Sequence, residues 1–143
     1  VEPTILKNPN PERGERVVSE QVSATMRDLL RQVVVRGTAS FGEVAGYEVG
    51  GKTGTADKPI PTGGGYYDDR VIATFAGAFP MSNPQYVLVV TLDEPEDTTG
   101  TEPRRTAGWT SVPVAAEIIR RIAPLMGMHP NYAEQAPLVL ASQ

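Results

Sequence analysis

The sequence predicts an α+β fold: a three-stranded antiparallel meander flanked by helices, one before the sheet and one after it. Three observations carry that expectation. Two near-continuous apolar runs, residues 70–79 and 86–92, are bounded by turn residues and have the length of strands. Two longer segments on either side of the sheet repeat apolar residues at helical spacing. The links between strands hold about 14 residues or fewer with no crossover helix, so the strands run antiparallel and two helices can cover the opposite faces of the sheet.

Composition narrows the field. A chain of 143 residues suits one domain, and at this size roughly two-thirds of the unfolded surface is buried, enough for a core. With 40% hydrophobic and 21% charged residues the chain reads as globular rather than disordered. Thirteen basic against seventeen acidic side chains leave a net charge of -4 with no basic cluster on a helical face, which argues against a nucleic-acid partner. Cysteine is absent, which excludes disulfides, thiolate metal sites and cysteine nucleophiles. No apolar run approaches the ~18 residues of a membrane span. The chain opens on Val1 in a strand-like segment, so it reads as a piece of a longer protein whose signals and anchors lie upstream.

In chain order, residues 1–7 alternate weakly as an extended segment and residues 8–16 form a charged, proline-containing loop. Ser19 offers an N-cap, and Val22, Met26, Leu29, Leu30, Val33 and Val34 recur at helical spacing until Gly37. The opposite face, with Arg27, Asp28, Arg31 and Gln32, reads as solvated. A glycine-bearing strand is expected over residues 47–55. Pro59, Pro61 and the glycines at 63, 64 and 65 then predict a long mobile connection over residues 56–69. Tyr66 and Tyr67 at its end either anchor the loop or touch a ligand, and aromatic residues beside glycines favour anchoring. After the two apolar strands comes a polar loop with an acidic cluster, Asp93, Glu94, Glu96 and Asp97. It lacks histidine and ligand spacing, so a metal is not expected there. A second helix is expected from Thr110 or Ser111, with Pro113 in its first turn and Val114, Ile118, Ile122, Leu125 and Met126 on one face, until Gly127. Trp109 reads as a packing anchor. His129 is the one histidine in the chain, so neither a metal cluster nor a serine-histidine pair can be assembled here. Residues 131–143 read as a frayed tail.

The chemistry concentrates in Val49-Gly50-Gly51-Lys52-Thr53-Gly54-Thr55. Three glycines weaken a strand unless something must approach its backbone. Alternation sends Thr53 and Thr55 to one face and Lys52 to the other, so an extended ligand along this edge meets backbone hydrogen bonds, hydroxyls and a charge together. Residues 46–53 also satisfy G-x-x-x-x-G-K-[ST], the phosphate-binding loop of nucleotide hydrolases. That loop must run into a helix whose N-terminal amides hold the anion, and here Gly54, Pro59 and Pro61 follow with no amphipathic period.

Lys52-Thr53-Gly54 resembles the third signature of the penicillin-recognising serine enzymes. The longer phrase from Gly50 to Ala56, with the segments 70–80 and 86–95, is similar to the end of the transpeptidase domain of class B penicillin-binding proteins, in particular the septal type that cross-links peptidoglycan during division. The resemblance covers residues 1–130. It implies the serine β-lactamase/D,D-peptidase-like fold, whose sheet has five strands, with the two absent here and the helical subdomain lying earlier in the parent sequence. It also implies that Lys52, Thr53, Gly54 and Thr55 bind the carboxylate of a peptide ending in D-Ala-D-Ala or of a β-lactam. The backbone N–H of Thr55 would be an oxyanion-hole donor, and Gly51 and Gly54 would be small so that the strand lies close to the nucleophile-bearing helix. No metal or cofactor is implied. The implied partners are the upstream portion of the same protein, stem peptides, β-lactams and division-complex proteins, at the periplasmic face of the inner membrane.

The family's Ser-x-x-Lys and Ser-x-Asn motifs are absent: no serine here has lysine three positions later or asparagine two positions later. The chain alone is therefore expected to be inactive, and its last strand to expose an apolar edge unless the upstream part lies beside it. A non-catalytic penicillin-sensing or scaffolding module is the alternative, and a nucleotide hydrolase the third reading.

Overall fold

The computed structural model describes residues 14–132. The segment expected over residues 1–7, most of the loop after it and nearly all of the tail lie outside the described residues. Helix α1 (Glu20–Arg36) begins where the sequence places it, with Ser19 Oγ accepting the Val22 N–H at 3.2 Å. A short 3-10 turn (Ser40–Gly42) leads to β1 (Gly50–Pro59), β2 (Tyr66–Phe79), β3 (Tyr86–Asp93) and helix α2 (Ser111–Leu125). The sheet is the expected antiparallel meander in the order β1-β2-β3, with β1 and β3 as its edges.

The register decides which residues share a face. Gly51, Thr53 and Thr55 lie opposite Gly77, Phe75 and Ala73, which in turn lie opposite Leu88, Val90 and Leu92. This is the core face. Val34 from α1 and Val112, Ala115 and Ile119 from α2 join Phe75, Phe79 and Val90 in one buried cluster. Both helices therefore cover the same face, a correction to the expectation that they cover its opposite faces. The reason lies in the short turn that both helices contact. Gly42 in that turn sits against Val112, Phe75 and Val34 together, so the two helices meet over one ring. The other face carries Lys52, Ala76, Val87 and Val89, and the two valines are 78% and 60% exposed. The expectation of an apolar strand left at an uncovered edge holds for β3.

Three further expectations are corrected. The connection predicted over residues 56–69 is mostly strand: β1 runs on to Pro59, β2 starts at Tyr66, and Ile60 N–H closes the tip onto Gly65 O at 3.1 Å. Proline is tolerated because β1 is an edge and the register shifts between Asp57 and Pro59, while Gly65 supplies φ +119 for the turn. The apolar face of α1 is largely unburied: Val22, Met26 and Leu29 are about half exposed and Val34 is its buried residue. In α2 the buried stripe is Val112, Ala115, Ala116, Ile119 and Ala123, whereas Val114 and Leu125, expected inside, are exposed. Alanine is the physical reason, since three small side chains let the helix lie close to the sheet and turn the large apolar residues outward.

Candidate active-site strand

Lys52, Thr53, Gly54 and Thr55 all lie on β1, whose second edge has no strand beside it among the described residues. This disposes of the phosphate-loop reading, because Lys52 sits three residues into a strand that continues for seven more and no helix follows. Alternation separates the charge from the hydroxyls as expected. Lys52 lies on the open face opposite Ala76, is exposed, and its Nζ donates to the Thr53 carbonyl at 2.7 Å. Thr53 and Thr55 lie on the core side at its rim. Thr53 Oγ1 is 2.8 Å from Thr38 Oγ1, and Thr55 Oγ1 accepts the Ala107 N–H at 3.0 Å.

The glycines have different reasons for their size. A Cβ on Gly51 would come within 2.7 Å of the Phe75 ring and 2.5 Å of the Ala76 carbonyl oxygen, so its bareness serves the core beneath. A Cβ on Gly54 would meet only the Thr74 carbonyl, at 4.0 Å. The shared reason expected for Gly51 and Gly54 is thus corrected for Gly51.

Beside Thr53 opens a cleft of about 390 Å³ lined by Thr38, Phe41, Thr106 and Trp109 among others. Trp109 packs on Phe41 with ring centroids 4.8 Å apart, and the Arg104 guanidinium lies over the indole, 3.6 Å from its centroid. Trp109 is thus an anchor, as expected, but one that also walls the cleft. Arg104 is held by Asp97 at 2.7 Å and by paired backbone hydrogen bonds between the same two residues. The hydroxyl and amide of Thr99, and then Arg104, hold the Asp97 carboxyl below the usual range.

The acidic cluster is occupied by cations of the chain itself. Lys58 donates to Asp93 at 2.8 Å and to Glu94 at 2.7 Å, and Arg105 meets Glu96 at 2.9 Å. Asp93 and then Glu94 raise the Lys58 ammonium, and Lys58 lowers Glu94 in return. Tyr66 is 65% exposed, while the Tyr67 ring lies 4.4 Å from the Arg70 guanidinium. A larger cleft of about 520 Å³ lies away from Lys52, lined by Arg31, Glu43 and Glu48. Arg31 donates there to Glu43 and to the Val49 carbonyl, so it ties α1 to the residue that leads into β1. The residues that sequence reasoning missed are Thr38, Ala107 through its amide, and Arg104. Thr38 and the Ala107 amide act across 15 residues or more of chain, and Arg104 through a side-chain contact with the ring of Trp109, and no local pattern marks such contacts.

The profile described as the penicillin binding protein transpeptidase domain matches residues 1–120. Over 135 residues the chain is 39% identical to the probable peptidoglycan D,D-transpeptidase FtsI of Caulobacter vibrioides, covering 87% of this chain and 23% of that protein. It is similar to the solved transpeptidase domain of penicillin-binding protein 3 from Burkholderia pseudomallei, at 35% identity and TM-score 0.72, covering 88% of this chain and 36% of that one. It is also similar to penicillin binding protein 3 from Mycobacterium tuberculosis complexed with ampicillin, at 32% identity and TM-score 0.71, covering 96% and 31%. The chain thus spans less than a quarter of that curated relative, and it shares the serine β-lactamase/D,D-peptidase fold of these structures. Because the profile takes in α1, the whole sheet and the Lys52-Thr53-Gly54 edge strand, the chain belongs to the penicillin binding protein transpeptidase domain family.

Proposed function

We propose that this chain supplies the carboxylate-binding wall of a peptidoglycan D,D-transpeptidase that cross-links stem peptides in cell-wall synthesis and division and is acylated by β-lactams. The observation that carries it is the display of Lys52, Thr53 and Thr55 along the edge of β1 that has no strand beside it among the described residues, the ammonium on one side and two hydroxyls on the other. Such an edge grips an extended peptide by its backbone and its anionic end together. Residues 1–130 form the C-terminal portion of the transpeptidase domain and residues 131–143 a tail. The parent is held at the periplasmic face of the inner membrane by an anchor outside this chain; no described helix is long and apolar enough to cross a membrane.

In this reading a serine of the upstream portion attacks the penultimate D-Ala carbonyl, and the C–N bond breaks as the terminal D-Ala leaves with a proton. An amine of a second stem peptide then attacks the ester and releases the serine. Lys52 contributes a positive field from the open face, where the nucleophile-bearing helix packs over Gly54. Thr53 and Thr55 donate to the carboxylate, each bond to a charged group being worth about 1.5–3 kcal/mol. The Thr55 N–H stabilises the oxyanion, a contribution of about 3 kcal/mol in comparable sites.

The test is acylation of the intact parent by a fluorescent penicillin, together with cross-linking of donor and acceptor peptides. Lys52→Ala is expected to slow both by about 100-fold or more, as for loss of one electrostatic stabiliser. Acylation of Lys52→Ala at the parental rate overturns the reading, and labelling without cross-linking in the parent points to a penicillin sensor instead.

A further inference from the structure

A threonine hydroxyl has one proton to donate and two lone pairs with which to accept. For Thr53 and Thr55 to hold an anion, both protons must point away from the chain. At Thr55 the chemistry fixes this: the Ala107 amide can only donate, so its hydrogen bond to Thr55 Oγ1 occupies a lone pair and leaves the hydroxyl proton free. At Thr53 the neighbour is another hydroxyl, Thr38 Oγ1 at 2.8 Å, and either can be the donor. When Thr53 gives its proton to Thr38, it turns lone pairs toward the anion. When Thr38 gives, Thr53 matches Thr55.

Thr38 is built to hold its place. The N–H groups on either side of it, those of Gly37 and Ala39, both donate to the Val33 carbonyl at 3.1 Å, and Ala39 is fully buried. Its own carbonyl lies against Gly108 so closely that a Cβ there would be 2.5 Å away. Thr38 is therefore pinned between the end of α1 and the loop that also presents the Ala107 amide. One junction orients both hydroxyls.

We propose that Thr38 is a positioning residue that donates its hydroxyl proton to Thr53 Oγ1 and thereby aims the Thr53 proton at an anionic peptide terminus lying along β1. This deepens the carboxylate-wall reading and rests on it. No covalent bond changes; the anion gains a donor in place of a lone pair. An anion in place reinforces the same orientation, because it accepts from Thr53 while Thr53 accepts from Thr38.

The experiment compares acylation of the intact parent by a penicillin and by the same penicillin with its carboxylate esterified, and reads the acid-to-ester rate ratio. That ratio does not depend on how much of a variant is folded. Thr38→Val, which keeps the shape and removes the hydroxyl, is expected to lower the ratio about threefold, within the range for one neutral hydrogen bond, because Thr53 loses the donor that holds its rotation and polarises its O–H toward the anion. Thr38→Ser is expected to restore it. A fall in both rates with the ratio kept at the parental value shows a merely structural residue and overturns the proposal. Thr53→Val, run beside it, separates the two layers of argument. If Thr53→Val lowers the ratio and Thr38→Val does not, the wall stands and the role of Thr38 is lost. If Thr53→Val leaves the ratio unchanged, the wall itself fails and takes this inference with it.

Discussion

At the scale of single residues, two glycines three positions apart answer to different neighbours. An odd spacing on a strand puts Gly51 and Gly54 on opposite faces. Gly51 lies over Phe75, a fully buried ring, and against the backbone of β2, neither of which can yield to a methyl group. Gly51→Ala in the intact parent is therefore expected to destabilise by about 1–3 kcal/mol, the usual range for overpacking, read as a lowered Tm. Gly54 has only a carbonyl at 4.0 Å within its own chain. Its substitution by alanine is expected to spare Tm more and to slow penicillin acylation, since the proposed nucleophile-bearing helix approaches from that face. Equal effects of the two variants on Tm, with acylation untouched by Gly54→Ala, would remove the proposed helix from that side. The sequence makes the need for bare backbone visible through the glycines themselves. It cannot tell the two demands apart, because that requires knowing which face holds Phe75.

Among the elements, the β1–β2 hairpin shows what fixes an edge strand beyond its own pairing. Lys58, near the end of β1, reaches across β2 to Asp93 and Glu94 at the end of β3. Asp93 and Glu94 raise Lys58, so its contribution is fully present below the ordinary lysine value and is lost as pH rises through the raised one. Lys58 lowers Glu94, so that contribution is present above the ordinary glutamate value and is lost as pH falls through the lowered one. The clamp is thus complete at neutral pH and fails first on acidification. The protection factors of the amides of residues 56–58, exchange rates divided into their intrinsic values at each pH, are expected to fall on passing below the carboxylate range, with Lys58→Met showing the lowered protection already at neutral pH; a Lys58→Met hairpin as protected as the parent at neutral pH would show that strand pairing alone holds it. Element existence was legible from periodicity: α1, β2, β3 and α2 all stand where apolar spacing puts them. What escaped was contextual. Pro59 reads as a breaker until its place on an edge beside a register shift is known. The alanines of α2 carry little hydrophobic signal, yet they are what lies against the sheet. Within the site, Lys52, Thr53 and Thr55 were legible because alternation is local, whereas Thr38 and the Ala107 amide reach β1 only through the tertiary fold.

For the whole molecule, the decisive feature is that both helices sit on one face of a three-stranded sheet. The other face is left with Val87 and Val89 exposed, and among the described residues β3 has no strand at its outer edge. The half-exposed apolar side of α1, with Val22, Met26 and Leu29, adds a second uncovered surface. Contiguous exposed apolar surface beside an open strand edge invites pairing with other chains. In the proposed parent, the upstream portion covers these surfaces and adds its strands to the sheet. The isolated chain is therefore expected to self-associate as its concentration rises, seen as a growing sedimentation coefficient in analytical ultracentrifugation. The double substitution Val87→Lys and Val89→Lys places two like charges on the same face of β3 and is expected to suppress that association. In the intact parent the same pair buries those charges against the upstream portion, which costs several kcal/mol unless they are paired, so Tm falls there while the isolated chain becomes better behaved. Opposite responses in the two settings are the signature of a surface made to be covered. An isolated chain that stays strictly monomeric and unfolds cooperatively at high concentration would show instead that these 143 residues form a self-sufficient domain, and the proposed dependence on an upstream partner would fall.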